Sequence, residues 1–167
     1  MSVSLYGSGQ TVVQVVSVTL NTTFSASVAS GNYSGDVTGL TPSITPLSTS
    51  NKILVMVNLT GGTSSGIYNF ALFRNGSQLT GASGASAGSR LLISSSAASG
   101  GTGSEEGASF NYLDSPATTS AVTYSVRLGQ DIGGTATLYI NRSNDDANAG
   151  YANRGASTIT LMEIAYV

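Results

Sequence analysis

The chain has 167 residues and a formal net charge of −2, from six basic and eight acidic residues, and it lacks His, Cys and Trp altogether. The basic residues are scattered, which argues against a nucleic-acid partner, and without Cys or His there is no disulfide framework, thiolate metal site or thiol nucleophile. Charged residues make up only 8%, against about 25% in an ordinary soluble domain, leaving a neutral surface rich in Ser, Thr and Gly, suited to an assembly.

The first predicted element is a long strand over about 12–27. Val16, Val18, Leu20, Thr22, Phe24 and Ala26 alternate there with Ser17, Thr19, Asn21, Thr23 and Ser25, the period-two pattern of a half-buried strand. Residues Asp36–Ile44 follow, with Leu40, Pro42 and Ile44 on one parity. Pro42 and Pro46 have no N–H to donate, which places this strand at an edge or corner. The segment KILVMVNLT, Lys52–Thr60, is apolar on both parities at its centre and reads as a strand covered on both faces. Ile67–Arg74 is the next strand, and Asn75-Gly76 after it predicts a tight hairpin.

Gly81–Gly88 and Ser94–Gly107 are low in complexity and are expected to be long, exposed loops around a short strand at Arg90–Ile93. Strands resume at Ala108–Leu113, Val122–Leu128, Thr135–Ile140 and Ser157–Tyr166, with the polar loop Asn141–Gly155 before the last. No segment carries sustained helical periodicity. About eight to ten short strands with Gly/Ser turns predict an all-β fold, an antiparallel jelly-roll sandwich over residues 13–167 preceded by an N-terminal arm over 1–12. The closing apolar strand is expected to sit centrally in a sheet or against a neighbouring subunit.

The N-terminus (MSVSLYGSGQ) has no basic region leading into an apolar run, so it does not read as a secretory signal. No apolar run approaches the roughly 20 residues that cross a bilayer. The expectation is a protein made in a cytoplasm without export and carrying an extracellular type of surface, as a virion component does.

Catalysis is not expected. The carboxylate doublets Glu105-Glu106 and Asp145-Asp146 are chain neighbours on loops, poorly placed for the separated acid and base of a glycosidase. Asn144, Asp146 and Asn148 alternate as in a calcium loop, but Ala149 stands where that pattern needs glycine and Gly155 where it needs the closing carboxylate. A solvated loop is the expectation, with no metal and no cofactor. Tyr151, among Asn148, Asn153 and Arg154, is the candidate platform for a carbohydrate. The Asn-x-Ser/Thr matches follow from the abundance of Ser and Thr.

Several strings occur together in order. Thr38-Gly39-Leu40, Ser43-Ile44-Thr45-Pro46 and Asn51-Lys52-Ile53-Leu54-Val55 come first, then Phe73-Arg74-Asn75-Gly76. Phe110-Asn111-Tyr112-Leu113-Asp114-Ser115-Pro116, Thr123-Tyr124, Asn141-Arg142 and the closing Ser157–Ile164 complete the set. This succession, spanning about 35–167, resembles small structural proteins of tailed bacteriophages, especially those of cyanobacteria and marine bacteria. It is also similar in order to the trimeric jelly roll of the tumour-necrosis-factor and C1q type.

The resemblance implies a homotrimer on the outer surface of the virion, either a capsid decoration (cement) protein or a tail-fibre receptor-binding module. The expectation of a chain complete at 167 residues with a short N-terminal arm, together with the neutral surface, favours the capsid. The partners expected are then two further copies and the major capsid protein lattice. Ile159, Leu161, Met162, Ile164 and Tyr166 are the expected interface or core residues. Tyr6, Val12 and Val13 are the expected capsid-contact arm. In the tail-fibre alternative Tyr151, Asn153 and Arg154 would contact host surface glycan.

Overall fold

The alternation over 12–27 builds two strands rather than one. The computed structural model describes residues 9–64, 67–98, 103–131 and 133–166; in it β1 (Gln10–Leu20) and β2 (Phe24–Ala29) are separated by Asn21–Thr23. The break has a local cause. Asn141 donates its side-chain amide to the carbonyls of Leu20 at 2.7 Å and Thr22 at 2.9 Å, acceptors that a continued ladder would have used. Beyond the break the chain changes partners.

The remaining strands are β3 (Asn32–Asp36), β4 (Ser43–Ile44), β5 (Lys52–Thr63), β6 (Ile67–Arg74), β7 (Ser77–Gln78), β8 (Ser95–Ala98), β9 (Glu106–Asp114), β10 (Val122–Gln130), β11 (Thr135–Ile140) and β12 (Ser157–Tyr166). One sheet runs β1–β12–β5–β11–β2 with β9 on β5, and the other runs β3–β10–β6–β7 with β4 on β10 and β8 on β6. Their pairings are antiparallel. From β5 the chain crosses to β6 and β8, returns to β9, crosses to β10 and returns to β11 and β12. The fold is an antiparallel β-sandwich connected in the manner of a jelly roll.

Between the sheets, Ile53, Val55, Leu59, Leu138, Ile140, Ile159 and Leu161 of the first meet Tyr68, Phe70, Leu72, Tyr124, Val126 and Leu128 of the second, all fully buried. Each such side chain contributes about 1.5–3 kcal/mol of burial. The last strand is central as expected, with β12 between β1 and β5. Its end pairs with the start of β1, Gln10 opposite Tyr166.

Further expectations are corrected. Over Asp36–Ile44 only the two ends are strand, because the chain turns at Val37–Leu40 (Leu40 N to Val37 O, 3.0 Å) and Pro42 has no donor for a ladder. The parity still holds, since Leu40, Pro42 and Ile44 are all buried. Lys52–Thr60 is covered on one face only: Met56, on the second parity, is 38% exposed. Arg90–Ile93 forms no strand; the strand lies just after it, at β8, inside the stretch Ser94–Gly107 that was expected to be an exposed loop and whose end already opens β9.

The segment 83–94 is instead a strap over the outer face of the β6–β10 sheet. Gly84 N bonds Ile93 O at 3.1 Å, Ser94 N bonds Phe70 O at 2.8 Å, and Leu91 N bonds the Asp131 carboxylate at 3.3 Å. Tyr33 and Gln78 both donate to the carbonyl of Leu92. Under it Phe73 packs edge-on to Tyr33 and beneath the Arg127 guanidinium, 4.2 Å from the ring centroid. An added Cβ at Gly129 would come within 3.2 Å of Leu91 Cδ1 and 3.3 Å of the Tyr33 ring. The three apolar residues Leu91–Ile93 read as a strand because a sheet face and a ladder demand the same side chains.

The hairpin after β6 forms as expected. Asn75 (φ 49°) and Gly76 (φ 79°) both lie in the left-handed region that a type I′ turn needs, and the Asn75 carboxamide oxygen accepts Thr123 N–H at 2.9 Å.

Candidate functional surfaces

Two surfaces of the sandwich stand out, one for its lack of cover and one for its concentration of polar groups. The first is the outer face of the β1–β12–β5–β9 layer. Register places Val15, Met162, Leu54 and Leu113 side by side across four strands. The next row is Ser17, Thr160, Met56 and Asn111, and the one after is Thr19, Thr158, Asn58 and Ser109. On the other side of the apolar row, Val12, Ile164 and Lys52 align. Val15 is 55% and Leu113 43% exposed.

A single charged residue, Lys52, occupies these rows. Ser17 and Thr160 bond through their hydroxyls at 2.8 Å, and a shallow hollow of about 280 Å³ opens among Met56, Asn58, Ser109, Asn111, Thr158 and Thr160. The strap covers the opposite sheet, whereas no segment among the described residues covers this one.

The five residues expected to form the interface or core divide by parity. Ile159 and Leu161 point inward and are fully buried core. Met162 and Ile164 lie on the outer face and are half-buried. Tyr166 closes β12 opposite Gln10, and its side chain lies outside the described residues. Of the expected arm, Tyr6 lies outside the described residues. Val12 and Val13 belong to β1 rather than to a free arm: Val12 pairs with Ile164, and the ladder shifts register between Val12 and Gln14. Both are exposed beside the apolar row. Val15, Leu54, Met56 and Leu113 were absent from the expected surface, although the apolar second parity of KILVMVNLT signalled two of them.

The second surface lies at the end of the sandwich where β5 and β9 meet the loop before β12. Asp146 (φ 49°) is its hub. Arg154 engages it with two bonds, Nε to Oδ1 at 2.9 Å and Nη2 to Oδ2 at 2.8 Å, and Arg142 approaches at 3.6 Å. These arginines, Arg154 foremost, hold the Asp146 carboxyl below its ordinary value. The carboxylate at the centre of the alternation Asn144, Asp146, Asn148 is thus committed to guanidinium groups. Among the described residues no group of three or more acidic, His or Cys side chains is placed to hold a metal ion.

Arg142 also lies over the Tyr139 ring, 4.4 Å from its centroid, and donates to the carbonyls of Ser143 and Asn144 at 3.0 Å each. Tyr151, 63% exposed, donates its hydroxyl to Asp145 at 3.2 Å. Glu105 is not on a free loop: its carboxylate accepts Gly155 N–H at 3.3 Å. Burial pushes the Glu105 carboxyl up, the Gly155 bond draws it down, and the Asp146 charge adds to the rise.

Two open hollows result. One of about 500 Å³ is lined by Thr60, Gly103, Ser104, Glu105, Glu106, Tyr151 and Asn153. The other, of about 660 Å³, is bounded by the 146–150 turn, Ala152 and Arg154. The structure brings Tyr151 and Asn153 to one hollow and turns Arg154 toward the other. Glu105 and Glu106 are neighbours of Tyr151 that spacing along the chain could not reveal.

No protein-family model matches the chain, and no curated protein matches it either. Among the described residues no helix is long and apolar enough to cross a membrane.

Proposed function

We propose that this chain is a structural protein of a tailed-bacteriophage virion, a capsid decoration protein that binds the outer surface of the head as a homotrimer. The observation that carries the reading is the bare outer face of β1, β12, β5 and β9, with Val15, Met162, Leu54 and Leu113 in one row. An apolar row flanked by hydroxyls and amides, with one lysine at its margin, suits a second copy of itself. Neither copy brings an unpaired charge to be desolvated. The order of strands β12–β5–β9 in one sheet and β3–β10–β6–β8 in the other supports the likeness to the tumour-necrosis-factor and C1q type of trimer.

In this reading Met162, Ile164, Leu54 and Val15 meet around the three-fold axis, while Ile159 and Leu161 support them from the core. A trimer that prefers the assembled lattice stabilises the head by mass action. The chain needs no catalytic group for that role.

Light scattering of the purified protein tests the assembly, and immunogold labelling of intact particles tests the location. A trimer, with label spread over the head, is the expected result. A stable monomer at micromolar concentration overturns the assembly, and particles without label overturn the virion role. A second reading, a receptor-binding module of a tail fibre, is favoured by the exposed Tyr151 among polar groups; label confined to the tail selects it.

A further inference from the structure

We propose that the hollow beside Tyr151 is a saccharide site for a neutral or basic pyranose, the sugar lying on the Tyr151 ring with its hydroxyls on Ser104, Glu105, Glu106 and Asn153. Tyr151 is exposed yet held. Its hydroxyl bonds Asp145, and its ring lies so close to Gly103 that an added Cβ there would come within 2.7 Å of Cδ2. An aromatic face fixed at both ends loses little freedom on binding. It offers apolar area to the C–H face of a sugar while its rim stays polar.

The volume, about 500 Å³, is that of a small-ligand site. Its polar groups match a polyol. Carboxylates accept charge-assisted bonds from hydroxyls, and Ser104 and Asn153 can both donate and accept. The Glu105 carboxylate is oriented by Gly155 N–H, and Gly155 is itself pressed against Thr60, where an added Cβ would meet Cγ2 at 2.8 Å.

Charge sets the preference among sugars. Glu105 and Glu106 line the hollow, and among the described residues no Lys or Arg does. The nearby Arg154 has both its bonds committed to Asp146. A uronic acid would bring a third negative charge into the hollow, while an amino sugar would neutralise one. Burial already raises the Glu105 carboxyl, so a cationic amine beside it relieves a standing cost.

The test is saturation-transfer NMR on the full chain with methyl pyranosides of gluco, galacto and manno configuration, their 2-amino counterparts and their uronates. Transfer to at least one neutral or amino sugar is expected, with the matching uronate binding about tenfold more weakly. Tyr151→Phe should retain binding and Tyr151→Ala should lose it, with unchanged circular dichroism. Glu105→Gln should narrow the gap between amino sugar and uronate. No transfer from any sugar, equal transfer in Tyr151→Ala, or a uronate binding as well as its neutral parent each overturns the proposal. The site belongs to one subunit in solution, so these outcomes are independent of where the protein sits on a particle.

Discussion

Glu163 and Asn51 join the last strand to the loop before β5: the fully buried Glu163 carboxylate accepts the Asn51 amide at 2.6 Å and the Leu47 backbone N–H at 2.7 Å, all through Oε1. Among the described residues Oε2 is buried without a hydrogen-bond partner, as is Oε1 of Gln14, the register partner of Glu163 on β1. Glu163→Ala leaves two donors unanswered and a void, and should cost about 2–4 kcal/mol in urea unfolding. Glu163→Gln keeps an oxygen for those donors and brings a donor into a layer that holds an unpaired acceptor. Its cost should stay below about 1 kcal/mol. Equal losses in the two variants would remove this account.

Met162 is the substitution that separates assembly from folding. It is half-buried at the centre of the bare face, while its neighbours Leu161 and Glu163 face the core. In the proposed trimer, Met162→Arg should leave the monomer folded and raise the dissociation constant at least about a hundredfold, since an unpaired charge would be desolvated in the interface. Sedimentation and circular dichroism measure the two effects apart. A trimer that survives would place the interface elsewhere.

The strap can be tested by proteolysis. Arg90 is exposed at its apex, and Tyr33 clamps it through the Leu92 carbonyl. Tyr33→Ala removes the clamp and the ring packed on Phe73. Trypsin should then cut after Arg90 about tenfold faster, in step with a local opening some 1.4 kcal/mol easier. An unchanged rate would mean that Gln78, Asp131 and the backbone bonds hold the strap without Tyr33.

The two acids at the Tyr151 end respond oppositely to pH. Asp146 is held below its ordinary 3.8 by Arg154 and then Arg142. Its contribution is therefore complete above that value and lost as pH falls through the depressed one. Amide exchange in 141–155 should accelerate there, and Asp146→Asn should produce the same acceleration at pH 7. Glu105 is raised, so its ionised form is the disfavoured one. Glu105→Gln should leave the loop as well protected or better at pH 7, with the advantage vanishing on acidification.

Period-two patterning made most of this fold legible, and its failures share one cause. β10, β11 and β12 appear where Val122, Thr135 and Ser157 open alternating runs, and Asn75-Gly76 announces its own hairpin. Alternation reports which way a side chain points and nothing about what lies beyond it. It could not show that Asn141 reaches back to end β1 at Leu20, nor that Leu91–Ile93 lies on a sheet face instead of in a ladder. For the same reason the second parity of Lys52–Thr60 read as covered although the face is bare. At the Tyr151 end the residue types were visible. Their grouping was not, because Glu105 meets Gly155 across 50 residues of chain.

The pairing of Gln10 with Tyr166 makes the sandwich a nearly closed loop of chain. A short linker between these neighbours, with new termini cut at the Asn75-Gly76 turn, should yield a circular permutant that keeps both sheets. By the same geometry a peptide joined directly at Gln10 or at Tyr166 is carried at the same corner. That corner lies at the far end of β5 and β12 from Tyr151, which leaves the Tyr151 end free for display.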